Sequence, residues 1–140
     1  MDTKVLFVCT GNTCRSPMAE YYFNFIGNGM IAESCGLFAN PGSSMSANAQ
    51  KVLIANNIGD ISHKSRQADA EILKEFDIIY GITAHHEARL KESFTEYADK
   101  IFSMPEDIGD PYGGSFEVYA QCFENIKKSV DIIKKSLTGI

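Results

Sequence analysis

The stretch VLFVCTGNTCRSPMAE, Val5 to Glu20, constrains this chain most, because it joins an apolar run, a short polar loop and a helix start within sixteen residues. Val5, Leu6, Phe7 and Val8 are apolar without alternation, the pattern of a strand buried on both faces. The run stops at Cys9. Ser16 then reads as an N-cap, Pro17 as the first helical residue, and Glu20 as a first-turn carboxylate. The intervening loop therefore lies at a helix N-terminus, where free N–H groups and the helix dipole attract an anion. Gly11 and Asn12 are the residues suited to the unusual dihedrals that turn successive amides inward. The same position makes a cysteine at Cys9 a candidate nucleophile. Arg15 adds a planar fork of donors matched to phosphate oxygens. Taken alone, Cys9 is a buried strand-end thiol and Arg15 a surface charge. Strand, loop, thiol, guanidinium and cap fall together where an anion cradle needs them.

Downstream, the sequence predicts a helix from Ser16 to Ile26, buried through Met18, Ala19, Tyr22, Phe23 and Ile26 and ended by Gly27, Asn28 and Gly29. A strand over Met30 to Ser34 follows, then a Gly-, Ser-, Asn- and Pro-rich loop from Cys35 to Ser46. Phe38, its large apolar residue, reads either as a core plug or as a wall of a substrate cleft. A helix over Ala47 to Asn57, a polar link Ser62 to Gln67, a helix over Ala68 to Phe76 and a strand over Asp77 to Ile82 come next. The helix from Ala84 to Phe94 carries His85 and His86, which point to different sides and form no metal pair; both read as surface residues. Lys100 to Ser103 is a fourth strand. Phe116 to Leu137 places Phe116, Tyr119, Phe123, Ile126, Val130, Ile133 and Leu137 three and four apart, the stripe of an amphipathic helix facing a core.

Strands alternating with helices imply an α/β fold: a single domain over residues 1–140, with a four-stranded parallel sheet flanked by helices on both faces. Such sheets bind ligands at the carboxyl ends of their strands, which is where Cys9 lies. A chain of 140 residues can bury one sufficient core without disulfides or a metal. With 13 basic against 18 acidic residues, the net charge of -5 argues against nucleic acid as a partner. No apolar run approaches a membrane span, and the N-terminus leads into the first strand without a secretory leader. Cys9, Cys14, Cys35 and Cys122 show neither zinc spacing nor a disulfide framework. A cytoplasmic setting is expected; the oligomeric state is not readable.

CTGNTCRSPMAE resembles the phosphate-binding loop of the low-molecular-weight protein tyrosine phosphatases, and SHKSRQ and DPYGGS extend the resemblance over nearly the whole chain. It implies hydrolysis of phosphorylated proteins through a cysteinyl-phosphate, with no cofactor or metal. Cys9 would be the nucleophile and Arg15 the clamp on the phosphoryl oxygens. Thr10, Gly11, Asn12, Thr13 and Cys14 would form the rest of the cradle. Ser16 would bond the thiolate, and His63 would support the loop from behind around Asn12. Such chemistry needs one residue as acid and then base. Asp110, restricted by Pro111 and set in the DPYGGS turn, fits, with Asp107 as fallback. Tyr112 would wall the cleft. Cys14 is also placed to form a protective disulfide with Cys9 on oxidation.

The family as a whole points first to phosphotyrosine. Thr13, where tyrosine-specific relatives typically carry a larger aliphatic residue, resembles the family's protein arginine phosphatases, so phosphoarginine is the alternative. Arsenate reduction fits less well, because Tyr80, Gly81 and Ile82 stand where redox cysteines are needed. A cysteine phosphocarrier would need neither Arg15 nor Asp110. A phosphopeptide-binding module could dispense with the nucleophile or the acid.

Overall fold

A computed structural model of the chain describes residues 3–27 and 29–138. Four strands, β1 (Lys4–Cys9), β2 (Ile31–Gly36), β3 (Ile78–Gly81) and β4 (Ile101–Ser103), form one all-parallel sheet in the order β2-β1-β3-β4. Among the described residues, α1 (Arg15–Ile26), α2 (Ala47–Ala55), α3 (Ala70–Lys74) and α4 (Ala84–Ser93) lie between the strands, with a 3-10 turn over Thr95–Lys100, and α5 (Phe116–Thr138) follows β4. No helix of the described residues is long and apolar enough to cross a membrane.

The continuous apolar run of β1 is explained by its central place, since successive side chains enter two different cores. Val5 and Phe7 pack with Met18, Phe23, Leu53, Phe123 and Ile126 beneath α1, α2 and α5. Leu6 and Val8 pack with Leu73, Leu90 and Ile101 beneath α3 and α4. Phe7 meets Phe23 edge to face at 5.8 Å. The long amphipathic pattern is a single helix, α5, whose Tyr119, Phe123, Ile126, Val130 and Ile133 are buried, while Phe116 at its first turn is exposed.

The register aligns Cys9 with Gly36, Val8 with Gly81 and Gly81 with Ser103, so the strands end on one crest. The chain leaves β1 for β2 on one side and later reaches β3 on the other. The loop after β1 therefore lies at the point where strand order reverses.

Several boundaries differ from the sequence reading. Helix α1 starts at Arg15 with Cys14 before it, so Ser16 is not an N-cap: its hydroxyl points back to Cys9, and no side chain caps this helix. Glu20 accordingly falls in the second turn, and Ile26 is exposed. Strand β2 continues through Cys35 and Gly36, because Gly36 pairs on its outer side with the 64–68 segment as well. The chain after Ala68 delays its helix until Ala70, where Asp69 accepts from the Ile72 N–H. Of the helix stop at Gly27, Asn28 and Gly29, Asn28 lies outside the described residues, and Gly27 has the positive φ of 69° that ends the helix.

Candidate active site

The loop between β1 and α1 wraps a cavity of about 210 Å³ lined by every residue from Cys9 to Arg15, together with Asp110 and Tyr112. Two segments a hundred residues apart thus share one site. Cys9 Sγ is 2.9 Å from Ser16 Oγ and accepts from the Asn12 N–H at 3.3 Å. Arg15 is buried, and its Nη1 donates to the Ile108 carbonyl at 3.0 Å while Nη2 lies 3.8 Å from Asp110 Oδ2. That separation is an ion pair across the cavity and too long for a hydrogen bond.

Asn12 holds the loop's shape. It is fully buried at φ 58°, a left-handed conformation that asparagine tolerates better than most side chains. Gly11, the other residue expected to supply an unusual dihedral, is not among the positive-φ positions. The Asn12 side-chain amide donates to Ser16 Oγ and Ser34 Oγ, both at 2.9 Å, and its carbonyl accepts from the Arg66 N–H at 2.9 Å. Its main-chain carbonyl accepts from Ser65 Oγ at 2.8 Å and from His63 Nε2 at 2.7 Å. His63 therefore lies behind the loop, where burial lowers its pKa and keeps it neutral despite Glu20 at 3.9 Å.

Ser16 Oγ accepts from Asn12 and has two acceptors for its own hydrogen, Cys9 Sγ at 2.9 Å and, farther off, the Cys35 carbonyl at 3.5 Å. Behind this chain, Ser34 Oγ donates to Glu20 Oε1 at 2.6 Å, and burial pushes the Glu20 carboxyl up to about 7. Gly36 makes the close packing possible: a Cβ there would stand 2.5 Å from the Thr10 carbonyl oxygen and 3.1 Å from Asn12.

Cys14 is a buried free thiol within 3.3 Å of both Ser46 Oγ and Tyr119 Oη, and Cys9 is also free. Thr13 lines the cavity, and its main-chain carbonyl accepts from the Ser46 N–H at 2.9 Å. Asp110 is exposed, its side chain 58% accessible, and its Oδ1 accepts from the Tyr112 N–H at 3.0 Å. Tyr112, 78% exposed, stands at the cavity rim. The fallback Asp107 is occupied elsewhere, accepting from the Ala84 N–H at the start of α4. Phe38 is neither a core plug nor part of this cavity lining: it is 78% exposed, because the Gly- and Pro-containing loop carries it away from both cores.

His86 was expected at the surface and is instead 3% exposed, with Nε2 at 3.0 Å from Thr10 Oγ1. The available sequence signal was Thr83 three residues earlier, the spacing of a capping box. Ser34, Ser65 and Glu20 also support the loop; they come from β2, from the link after α2 and from the second turn of α1, and no local pattern joins them.

The chain matches the family profile for low molecular weight phosphotyrosine protein phosphatase over residues 4–139. It is 33% identical to the protein-arginine-phosphatase of Bacillus subtilis (strain 168), with 95% of each chain aligned. It is 32% identical to the low molecular weight protein-tyrosine-phosphatase PtpB of Staphylococcus haemolyticus (strain JCSC1435), over 88% of this chain and 91% of that one. The crystal structure of a low molecular weight protein tyrosine phosphatase from T. tengcongensis superposes with a TM-score of 0.89 at 38% identity, covering 96% of this chain and 99% of that one. With its single α/β unit, its loop at the crest of β1 and relatives that are protein phosphatases, the chain belongs to the low molecular weight phosphotyrosine protein phosphatase family and is a phosphatase by descent.

Proposed function

We propose that the protein is a cysteine-dependent protein phosphatase whose preferred substrate is phosphoarginine. The chemistry rests on Cys9, Arg15 and Asp110 meeting in one cavity. Cys9 Sγ attacks phosphorus in line, the bond from phosphorus to the leaving atom breaks, and Asp110 supplies the proton that atom takes up. Loop N–H groups and the Arg15 guanidinium stabilise the equatorial oxygens as charge develops. Water, deprotonated by the same Asp110, then attacks phosphorus. The S–P bond breaks and the thiolate returns to the hydrogen of Ser16. Thr10, Gly11, Asn12, Thr13 and Cys14 shape the cradle, with His63 holding it from behind.

The relatives carry both activities by name, so the substrate is argued from the pocket. The observation that favours phosphoarginine is Thr13, whose residue lines the cavity with Cys9 and Asp110. A hydroxyl at that position suits a polar guanidino group, whereas an aliphatic side chain suits a phenyl ring. The exposed Asp110 carboxylate opposite also suits a leaving group that becomes a cation. Phosphotyrosine is the second reading, supported by Tyr112 at the rim as an aromatic wall.

Parallel assays on phosphoarginine and phosphotyrosine peptides test both levels. Cys9→Ser abolishes turnover of both; persisting turnover overturns the mechanism. Thr13→Ile lowers phosphoarginine turnover and raises phosphotyrosine turnover, whereas a wild-type preference for phosphotyrosine that Thr13→Ile leaves unchanged overturns the substrate assignment.

A further inference from the structure

His86 takes no part in the chemistry above, yet its ring reaches the cavity wall. Its Nδ1 faces the Thr83 N–H at 3.2 Å and the Thr83 hydroxyl at 2.9 Å, while Thr83 Oγ1 accepts from the His86 N–H at 3.2 Å. A ring nitrogen that receives an N–H carries a lone pair, so the proton of the neutral imidazole is on Nε2. Burial, reinforced by the charges of Arg15 and His85, pushes the His86 pKa down to about 4, so neutral imidazole is the form at physiological pH. Nε2 therefore donates to Thr10 Oγ1 at 3.0 Å.

The direction of that bond matters for Thr10. Its hydroxyl oxygen is occupied as an acceptor, and among the described residues it has no other hydrogen-bond partner. Its own hydrogen is thus left for whatever enters the cavity that Thr10 lines. The seat of His86 is tightly fitted. A Cβ on Gly81 would stand 2.6 Å from the Glu87 nitrogen and 3.0 Å from His86 Cβ, so only glycine lets α4 approach the end of β3 this closely. Asp107, three residues before Asp110, accepts from the Ala84 N–H and ties the same helix end to the acid segment.

We infer that His86 is a positioning residue that makes Thr10 a one-way hydrogen-bond donor to a phosphoryl oxygen in the cavity. This rests on the cavity being a phosphate site, as proposed above. The competing role, a helix cap alone, uses only Nδ1, and the two can be separated. Asn at this position keeps an acceptor near Nδ1 for Thr83 but cannot reach Thr10; Gln keeps a donor near Nε2.

The experiment measures the affinity of the full-length protein for inorganic phosphate, with thermal melting in parallel. His86→Asn and Thr10→Val should each weaken phosphate about ten- to a hundredfold, the worth of one hydrogen bond to a charged ligand. The double variant should be no weaker than either alone, and His86→Gln should recover most of the loss. Unchanged phosphate affinity in Thr10→Val overturns the inference even if His86→Asn does not fold. So do losses that multiply in the double variant, or equal losses in the Gln and Asn variants. If the unsubstituted protein binds no phosphate, the cavity assignment itself fails before any substitution is made, and the inference falls with it.

Discussion

The floor of the cavity and its rim are built differently. On the floor, Asn12 is fully buried and bonded through its amide, its side-chain carbonyl and its main-chain carbonyl to Ser16, Ser34, Ser65, His63 and Arg66. On the rim, Asp110 and Tyr112 are exposed, and Asp110 makes one hydrogen bond, to its own turn. A group that must present the same donors to every phosphate gains from being fixed in advance. A group that must meet different leaving groups gains from having few fixed contacts. In the proposed mechanism the contrast divides the site into a part that recognises phosphate and a part that recognises what carries it.

Asn12→Ala would break the floor most completely. It removes three side-chain hydrogen bonds, strands buried partners and leaves alanine at φ 58°, a combined cost of about 3 kcal/mol or more. Denaturant melts should show that loss alongside near-absent turnover; a stable and active variant would mean the floor is not fixed by this residue. Asp110→Asn tests the rim from the opposite side. In the proposed mechanism it lowers kcat about 10²- to 10³-fold, and it should shift stability by no more than about 0.5 kcal/mol because the side chain is exposed. A large stability change would erase the distinction between the two regions.

A further effect, spread over more than two pH units, should appear in the pH dependence of stability. The Glu20 carboxyl is held near 7 in the fold against an ordinary 4.5. Between those values the folded protein keeps a proton that the unfolded chain releases, so stability falls as pH rises across this window, by about 3 kcal/mol in all. Glu20→Gln should flatten that contribution while retaining an acceptor for Ser34. Equal slopes in the two proteins between pH 4.5 and 7 would show that the carboxyl is not desolvated behind the floor.

The same division explains what the sequence disclosed. Cys9, Arg15 and the loop were legible because their elements are contiguous: an apolar run, a polar turn and a helix leave a local trace. The start of α1 was misplaced by one residue. The pair Ser16 and Pro17 looks like a cap and a first turn, yet the Ser16 hydroxyl is drawn to Asn12 and Cys9 by tertiary contacts. His86 looked like its exposed neighbour His85. One step along a helix separates core from surface, and no periodicity distinguishes the two when the surrounding residues are polar. Phe38 shows the reverse error: an aromatic residue suggests burial, but its side chain faces solvent while its loop sends Leu37 and Met45 toward the two cores instead. Ser34 and Ser65 converge on Asn12 and Glu20 on Ser34, and convergence from three segments has no one-dimensional pattern.

Helix α5, which follows β4, packs on α1 and α2 and supplies Phe123, Ile126 and Val130 to the core beneath β1, the strand that ends at Cys9. A ribosome-bound chain that has already released all four strands therefore still lacks one wall of that core. Domains fold as units once their sequence has emerged. Cys9, at the end of the first strand, is consequently enclosed in its site only after α5 has followed the four strands out of the ribosome, and a chain interrupted before α5 would leave the apolar faces of α1 and α2 uncovered.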